Sequence, residues 1–119
     1  MITFEKVTVE NESVVKEMFK SHSLGEKKVQ YCVKVDDTYI GVIDYSVQEE
    51  RAVLSQLIIH FDYQGYGYGT NTYFTFEEMM KQRNVKEIKV LQEKLTEKAK
   101  SFIESFGFTS EDEKYVKKI

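Results

Sequence analysis

The sequence has one cysteine, no proline, no long apolar run and no surplus of basic residues. A lone thiol at Cys32 excludes an internal disulfide, and no charged-then-apolar leader opens the chain at Met1-Ile2-Thr3-Phe4-Glu5. A reducing, cytoplasmic setting is therefore expected. The longest apolar stretch, around Leu57-Ile58-Ile59, is only a few residues, far below the roughly 18 to 20 that a membrane-spanning helix needs. A soluble protein with no membrane partner follows as an expectation. Lys and Arg number 17 against 20 Asp and Glu, a formal net charge of −3, so the clustered cations that neutralise phosphates are missing. Nucleic acid is disfavoured as a partner. The missing proline carries no functional meaning of its own.

What the chain does have is enough apolar surface for a core. Hydrophobic residues make up 41%, with eight Phe and eight Tyr, so the low mean hydropathy reflects charged outer faces rather than disorder. At 119 residues the expectation is a single domain, 1–119. Ile2 to Thr8 reads as a strand. Asn11 or Ser13 then caps a short helix with Val14, Val15, Met18 and Phe19 inward, and a loop follows around Ser23-Leu24-Gly25. Alternation from Val29 through Tyr31, Val33 and Val35, a turn at Asp36-Asp37, and a second strand from Tyr39 to Val47 make a hairpin. After a charged turn at Gln48-Glu49-Glu50, a third strand runs from Ala52 to His60, completing an antiparallel meander.

Periodicity then becomes helical over 69–83, with Tyr73, Phe76 and Met80 on one face and Glu77, Glu78, Lys81 and Gln82 mostly on the other. Glu87 to Leu91 is a short strand. Ala99, Phe102, Ile103 and Phe106 recur at helical spacing, and Gly107 stops that helix. The tail has room for one or two strands, Tyr115 to Lys118 being the clearer.

Between the third strand and the long helix lies Gln64-Gly65-Tyr66-Gly67-Tyr68-Gly69. A strand, a glycine-rich turn and a helix gather free backbone N–H groups and the positive end of a helix dipole at one point, which suits a phosphate. Glycine allows positive φ and keeps Cβ atoms away from an anion. There is no Gly-Lys-Ser/Thr as in a nucleotide P-loop, and Thr70 interrupts the dinucleotide spacing, so nucleotide hydrolysis and NAD binding are disfavoured.

From Leu57 to Thr70 the sequence resembles the coenzyme A signature of the GNAT superfamily of acyl-CoA-dependent N-acetyltransferases, a hydrophobic strand end followed by Gln/Arg-x-x-Gly-x-Gly/Ala. A second stretch, Ala99-Lys100-Ser101-Phe102-Ile103-Glu104-Ser105-Phe106-Gly107-Phe108, is similar to that family's Ala-x-x-Phe-Tyr-Glu-x-x-Gly-Phe helix end. The order of elements matches as well. The resemblance implies an α/β (α+β) acyltransferase fold, a central mixed, mostly antiparallel sheet flanked by helices. It also implies acetyl-CoA as cosubstrate, with no metal. The amides of Gly65, Tyr66, Gly67, Tyr68, Gly69 and Thr70 would hold the pyrophosphate, with Gln64 at the loop entrance. Ile59, Phe61, Thr96 and Phe102 complete the implied coenzyme set, with pantetheine between the third and the Glu87–Leu91 strands. The backbone N–H of Ile59 would polarise the acetyl carbonyl.

Direct attack by an amine on the thioester requires a deprotonated amine and a protonated leaving thiolate. The tyrosine that many relatives carry as the acid is replaced here by Ile103. A thiol with a pKa near 8.5 loses only about 2 kcal/mol by leaving as thiolate at pH 7, whereas a lysine-like amine costs roughly 4.6 kcal/mol to deprotonate. The base therefore matters more. Relatives place it at positions matching Ser55 or Val53, and neither is a strong base. Asp44, with Ser55 as relay, is the candidate beside a reading of Asp44 as an ordinary strand residue. His60 falls on the opposite sheet face from Ile59 and reads as structural. His22 reads as an imidazolium at the negative end of the first helix. Thr96 also suits a helix N-cap, the loop tyrosines suit a surface, and Cys32 suits the core.

Two functions stay open: an N-acetyltransferase acting on a primary amine of a small molecule, peptide or protein, and a non-catalytic acyl-CoA-binding module. The acceptor pocket would come from the first helix, the loop near Gly25 and strand ends, none of which carries a known signature. Acidic composition mildly favours a cationic amine. Self-association as a homodimer stays open.

Overall fold

The computed structural model describes residues 1–22, 29–93 and 95–119, and the loop expected around Ser23-Leu24-Gly25 lies outside them. Seven strands and three helices run in the order β1 (Ile2–Lys6), α1 (Glu12–Met18), β2 (Tyr31–Val35), β3 (Thr38–Gln48), β4 (Arg51–Ile59), α2 (Tyr68–Gln82), β5 (Glu87–Leu91), α3 (Glu97–Glu104), β6 (Thr109–Glu111) and β7 (Lys114–Lys118). A 3-10 turn, Phe61–Tyr63, precedes α2. The sheet order is β1-β2-β3-β4-β5-β7-β6. Pairs β1–β2, β2–β3, β5–β7 and β6–β7 are antiparallel, and β4–β5 is parallel. A parallel pair needs a crossover too long for a hairpin, and α2 supplies it. No helix among the described residues is long and apolar enough to cross a membrane.

The chain divides into two compact units, Met1–Asp44 with Gln56–Phe76, and Tyr45–Ser55 with Glu77–Ile119. In the first, Val15, Phe19, Cys32 and Val42 form a buried cluster, with Val7, Met18, Val29, Tyr39 and Ile58 packed around it. Val15 and Phe19 sit one helical turn apart and so share a face. Val14, expected inward, is 51% exposed, because so short a helix buries only a narrow stripe. Asn11 is the N-cap residue, but its side chain makes no capping bond; its Oδ1 accepts from Thr8 N–H at 2.7 Å. In β2 strict alternation fails. Cys32 and Val33 are both fully buried, and the register with β3 shifts between Val33 and Lys34. Such a bulge opposes two residues to one and re-aims side chains. Cys32 is core, as expected. Burial and the nearby carboxylates of Glu5 and Asp44 push its thiol up to about 11, which leaves it without thiolate at neutral pH.

In the second unit Met80, Val85, Ile88, Val90, Ile103, Phe106, Phe108, Tyr115 and Val116 are buried. Gly107, at φ 93, turns the chain out of α3 into β6. One expectation is corrected. Glu77, assigned to the outer face of its helix, is only 7% exposed. Its positions i−4 and i+3 are Tyr73 and Met80, so helical geometry places it on the apolar face. Burying a carboxylate there is tolerable because Lys117 of β7 brings its Nζ to 2.5 Å from Oε1, and Lys81 lies 3.5 Å from Oε2. Removing Lys117 takes away the nearer cation from a buried carboxylate and leaves the more distant Lys81, whereas replacing both Lys117 and Glu77 with apolar groups leaves no buried charge at this position. Lys117→Met should therefore lower unfolding free energy by about 2 to 4 kcal/mol, and the double substitution Lys117→Met with Glu77→Leu should recover most of it, read by urea denaturation.

Candidate active site

The first unit contains the turn that the glycines mark. β4 ends at Ile59, His60 N–H donates to Ile40 C=O at 2.8 Å, and His60 Nδ1 accepts from Asp62 N–H at 3.1 Å. The histidine thus caps the 3-10 turn, in the structural role its position suggested. Gln64 Nε2 reaches back 2.9 Å to Ile59 C=O. The loop is thereby fastened to the strand end by its own entrance residue.

Gly65 and Gly67 adopt φ of 88° and 82°, which β-carbon-bearing residues avoid. A Cβ at either would meet nothing within 4 Å, so conformation rather than crowding is what requires glycine. Gly67 C=O accepts Asn71 N–H at 3.1 Å, closing the first turn of α2. The N–H groups of Tyr68, Gly69 and Thr70 lie ahead of that closure and have no intrahelical acceptor. They stand at the positive end of a 15-residue helix. Tyr66 is 72% exposed, and its ring centroid lies 6.2 Å from that of Tyr68.

Gly41 in β3 matters for the opposite reason. A Cβ there would stand 2.5 Å from Ile58 O, 3.0 Å from Ile59 Cδ1 and 3.4 Å from Ile59 Cα. The Ile58 carbonyl thus lies over Gly41. Because a trans peptide sets N–H opposite C=O, the Ile59 N–H points away from β3. The side chain of Ile59 itself is buried. Sequence reading passed over Gly41, although a glycine inside a strand is itself the signal of a close backbone approach.

Asp44 is 5% exposed. Its Oδ1 accepts Gln30 N–H at 2.7 Å and its Oδ2 accepts Gln56 Nε2–H at 2.9 Å, partners that no periodicity revealed. Phe61 is 59% exposed and stacks on His22, ring centroids 3.8 Å apart. In the second unit Ser55 is an exposed residue of β4. Thr96 is the N-cap of α3, its Oγ1 accepting Ala99 N–H at 3.1 Å. Phe102 packs edge-on to Phe106, centroids 4.6 Å apart, and Ile103 is buried at the position of the missing tyrosine. Tyr115 bonds to this helix from β7, its hydroxyl donating to Glu104 at 2.7 Å. That bond, with burial, pushes Tyr115 up to about 12, which unsuits it as an acid at neutral pH. Among the described residues no group of three or more His, Cys, Asp or Glu is placed to hold a metal ion.

The expectation for His22 is corrected. α1 stops at Met18, and His22 Nε2 accepts Phe61 N–H at 3.2 Å, which only an unprotonated nitrogen does. Burial, and then the neighbouring His60, hold its pKa below the usual imidazole value, against the opposing pull of Asp62. It is a neutral imidazole and not an imidazolium.

A strand, a glycine turn and a helix that crosses over to a strand parallel to the first make a βαβ unit of the kind that suits a phosphate-bearing ligand. The chain belongs to the acetyltransferase (GNAT) family, which it matches over residues 3–108. Its structure is similar to an acetyltransferase from Thermus thermophilus (TM-score 0.81, 19% identity, 100% of this chain and 97% of that one). It is also similar to the PaiA N-acetyltransferase of Thermoplasma acidophilum in complex with coenzyme A (0.73, 16%, 100% and 99%). An Arabidopsis thaliana protein in complex with the bisubstrate analogue CoA-Ac-MVNAL superposes at 0.69, with 18% identity over 97% and 95% of the chains. No curated protein matches the sequence.

The two kinds of glycine separate experimentally. Gly41→Ala drives a Cβ into backbone and should cost about 2 to 3 kcal/mol. Gly65→Ala, with open space but an unfavourable φ, should cost about 1 to 2 kcal/mol. Thermal unfolding of the two variants gives the order.

Proposed function

We propose that the protein transfers the acetyl group of acetyl-CoA to a primary amine by direct attack, with the pyrophosphate held by the backbone amides of Gly65 to Thr70. The observation that carries this reading is the pair of positive-φ glycines delivering the chain into α2 with the Tyr68, Gly69 and Thr70 amides free. An anion at that point meets donors and the helix dipole together. The Ile59 N–H, turned away from β3 by the set of the Ile58 carbonyl, is the donor for the thioester oxygen, whose negative charge grows as the amine attacks. Relatives solved with coenzyme A, and with a coenzyme A–peptide analogue, support the same donor.

In this mechanism the amine adds to the carbonyl carbon, the C–S bond breaks, and the coenzyme leaves as thiolate. With isoleucine at position 103 the thiolate departs unprotonated or takes its proton from water, at the cost of about 2 kcal/mol at pH 7. Asp44 accepts the amine's proton through water. The carboxylate already takes hydrogen bonds at both oxygens, so its second service is to bind Gln30 and Gln56.

Acetyl-CoA should raise the unfolding free energy by about 2.7 kcal/mol when present at 100 times its dissociation constant. Absence of any shift rejects acyl-CoA binding. A thiol-release screen over polyamines, amino acids, aminoglycosides and peptide N-termini then distinguishes transfer from mere binding, since a non-catalytic module stays silent throughout. Asp44→Asn keeps the shape and the acceptor for Gln30. A base role predicts a fall in kcat of about 100-fold or more with little change in KM, and a purely structural role leaves kcat within a few-fold.

A further inference from the structure

His22 and Phe61 are far apart in sequence and joined in space. The chain leaving α1 passes Phe19, which meets His22 and His60 edge-on at 5.1 and 5.6 Å between ring centroids. His22 lies 4.9 Å from His60 and stacks on Phe61 at 3.8 Å with an interplanar angle of 21°. Tyr63 closes the group at 6.1 Å from His60. Phe61 opens the connection to the glycine turn, and its N–H donates to His22 Nε2. The rest of that connection is fastened locally, Tyr63 N–H to His60 C=O at 2.9 Å and Gln64 N–H to Phe61 C=O at 3.3 Å.

We propose that His22 is a positioning residue for the acyl-CoA loop, holding the Phe61 N–H through its neutral Nε2 so that the loop loosens its hold on acyl-CoA when the imidazole takes a proton. This rests on the acyl-CoA reading of Gln64–Thr70. An acceptor at Nε2 places the ring hydrogen on Nδ1, and Nδ1 is buried with no hydrogen-bond partner among the described residues. The one hydrogen bond His22 makes through its ring among the described residues is thus the one to the Phe61 N–H.

Protonation replaces the acceptor with a second donor facing the Phe61 N–H, and it adds positive charge beside His60. Among the described residues the titratable groups that act on His22 are His60 from the end of β4 and Asp62 from the 3-10 turn, with Tyr63 set against His60. Lys20 on its own segment is paired with Glu17 at 2.8 Å. Burial and His60 favour the neutral ring and Asp62 opposes them, with the first two prevailing. The sign follows. The folded value lies below that of a free imidazole near 6.5, so the tie is complete at neutral pH and is lost as pH falls through the folded value.

Long-range 15N NMR of the free protein tests the tie without any ligand. The expected result is the Nδ1–H tautomer for His22, with the Phe61 amide shifting along the His22 titration curve; an Nε2–H tautomer, or a Phe61 amide that ignores the titration, overturns the proposal. Acetyl-CoA affinity is then measured between about pH 5 and 8 for the wild type, His22→Gln and His22→Leu. His22→Gln supplies a carboxamide oxygen near the Nε2 position and should keep neutral-pH affinity while flattening the acid limb of the profile. His22→Leu lacks the tie at every pH, so it should bind about fivefold to tenfold more weakly than the wild type at neutral pH, the worth of one hydrogen bond, and approach the wild type at acid pH. Titration of the coenzyme's phosphates is common to all three proteins, so an acid limb unchanged in His22→Gln overturns the coupling. Wild-type protein that binds no acetyl-CoA at neutral pH rejects the acyl-CoA reading instead, and leaves the NMR result standing.

Discussion

Between Ile59 and Tyr68 the chain has to turn from extended to helical, and the reversal depends on two residues, Gly65 and Gly67, taking backbone angles that other residues avoid. The turn contributes little packing of its own, since space around both glycines is open. It is held by hydrogen bonds at its ends. Gln64 returns to the Ile59 carbonyl, His60 caps the 3-10 turn, Gly67 receives the first bond of α2, and His22 holds Phe61 from the far end of the α1 segment. A turn built this way leaves the first-turn amides of α2 without an acceptor inside the helix.

β3 and β4 supply the other half of the arrangement. Ile58 brings its carbonyl over Gly41, and the planar peptide then turns the Ile59 N–H outward. Close backbone approach at one glycine thus orients a donor on the neighbouring strand. Asp44, on the same strand as Gly41, ties Gln30 and Gln56 to β3.

Much of this was legible in the letters. The meander, the long helix, the Glu87–Leu91 strand and the turn at Gly107 follow from periodicities of two and 3.6 with glycine as punctuation. The glycine turn was legible because it is local, a strand end, a turn and a helix start consecutive in the chain. Glu77, Val14 and His22 were misjudged, each for its own reason. Glu77 lies on the apolar side of its own helix and is held there by Lys117, Val14 belongs to a helix too short to bury a wide face, and His22 meets an amide 39 residues away. Gly41 did carry a signal, since a glycine in a buried strand rarely lacks a neighbour that needs the space.

By itself the sequence determined the family, the order of elements and the glycine turn, because glycine placement and apolar spacing act through local backbone geometry. Only the tertiary structure decided which groups are charged, bonded or exposed. Asp44 became a doubly bonded carboxylate, His22 a neutral acceptor and Glu77 a buried ion-pair partner. Protonation and pairing depend on burial and on partners distant in the chain, and those are fixed only when strands and helices have packed.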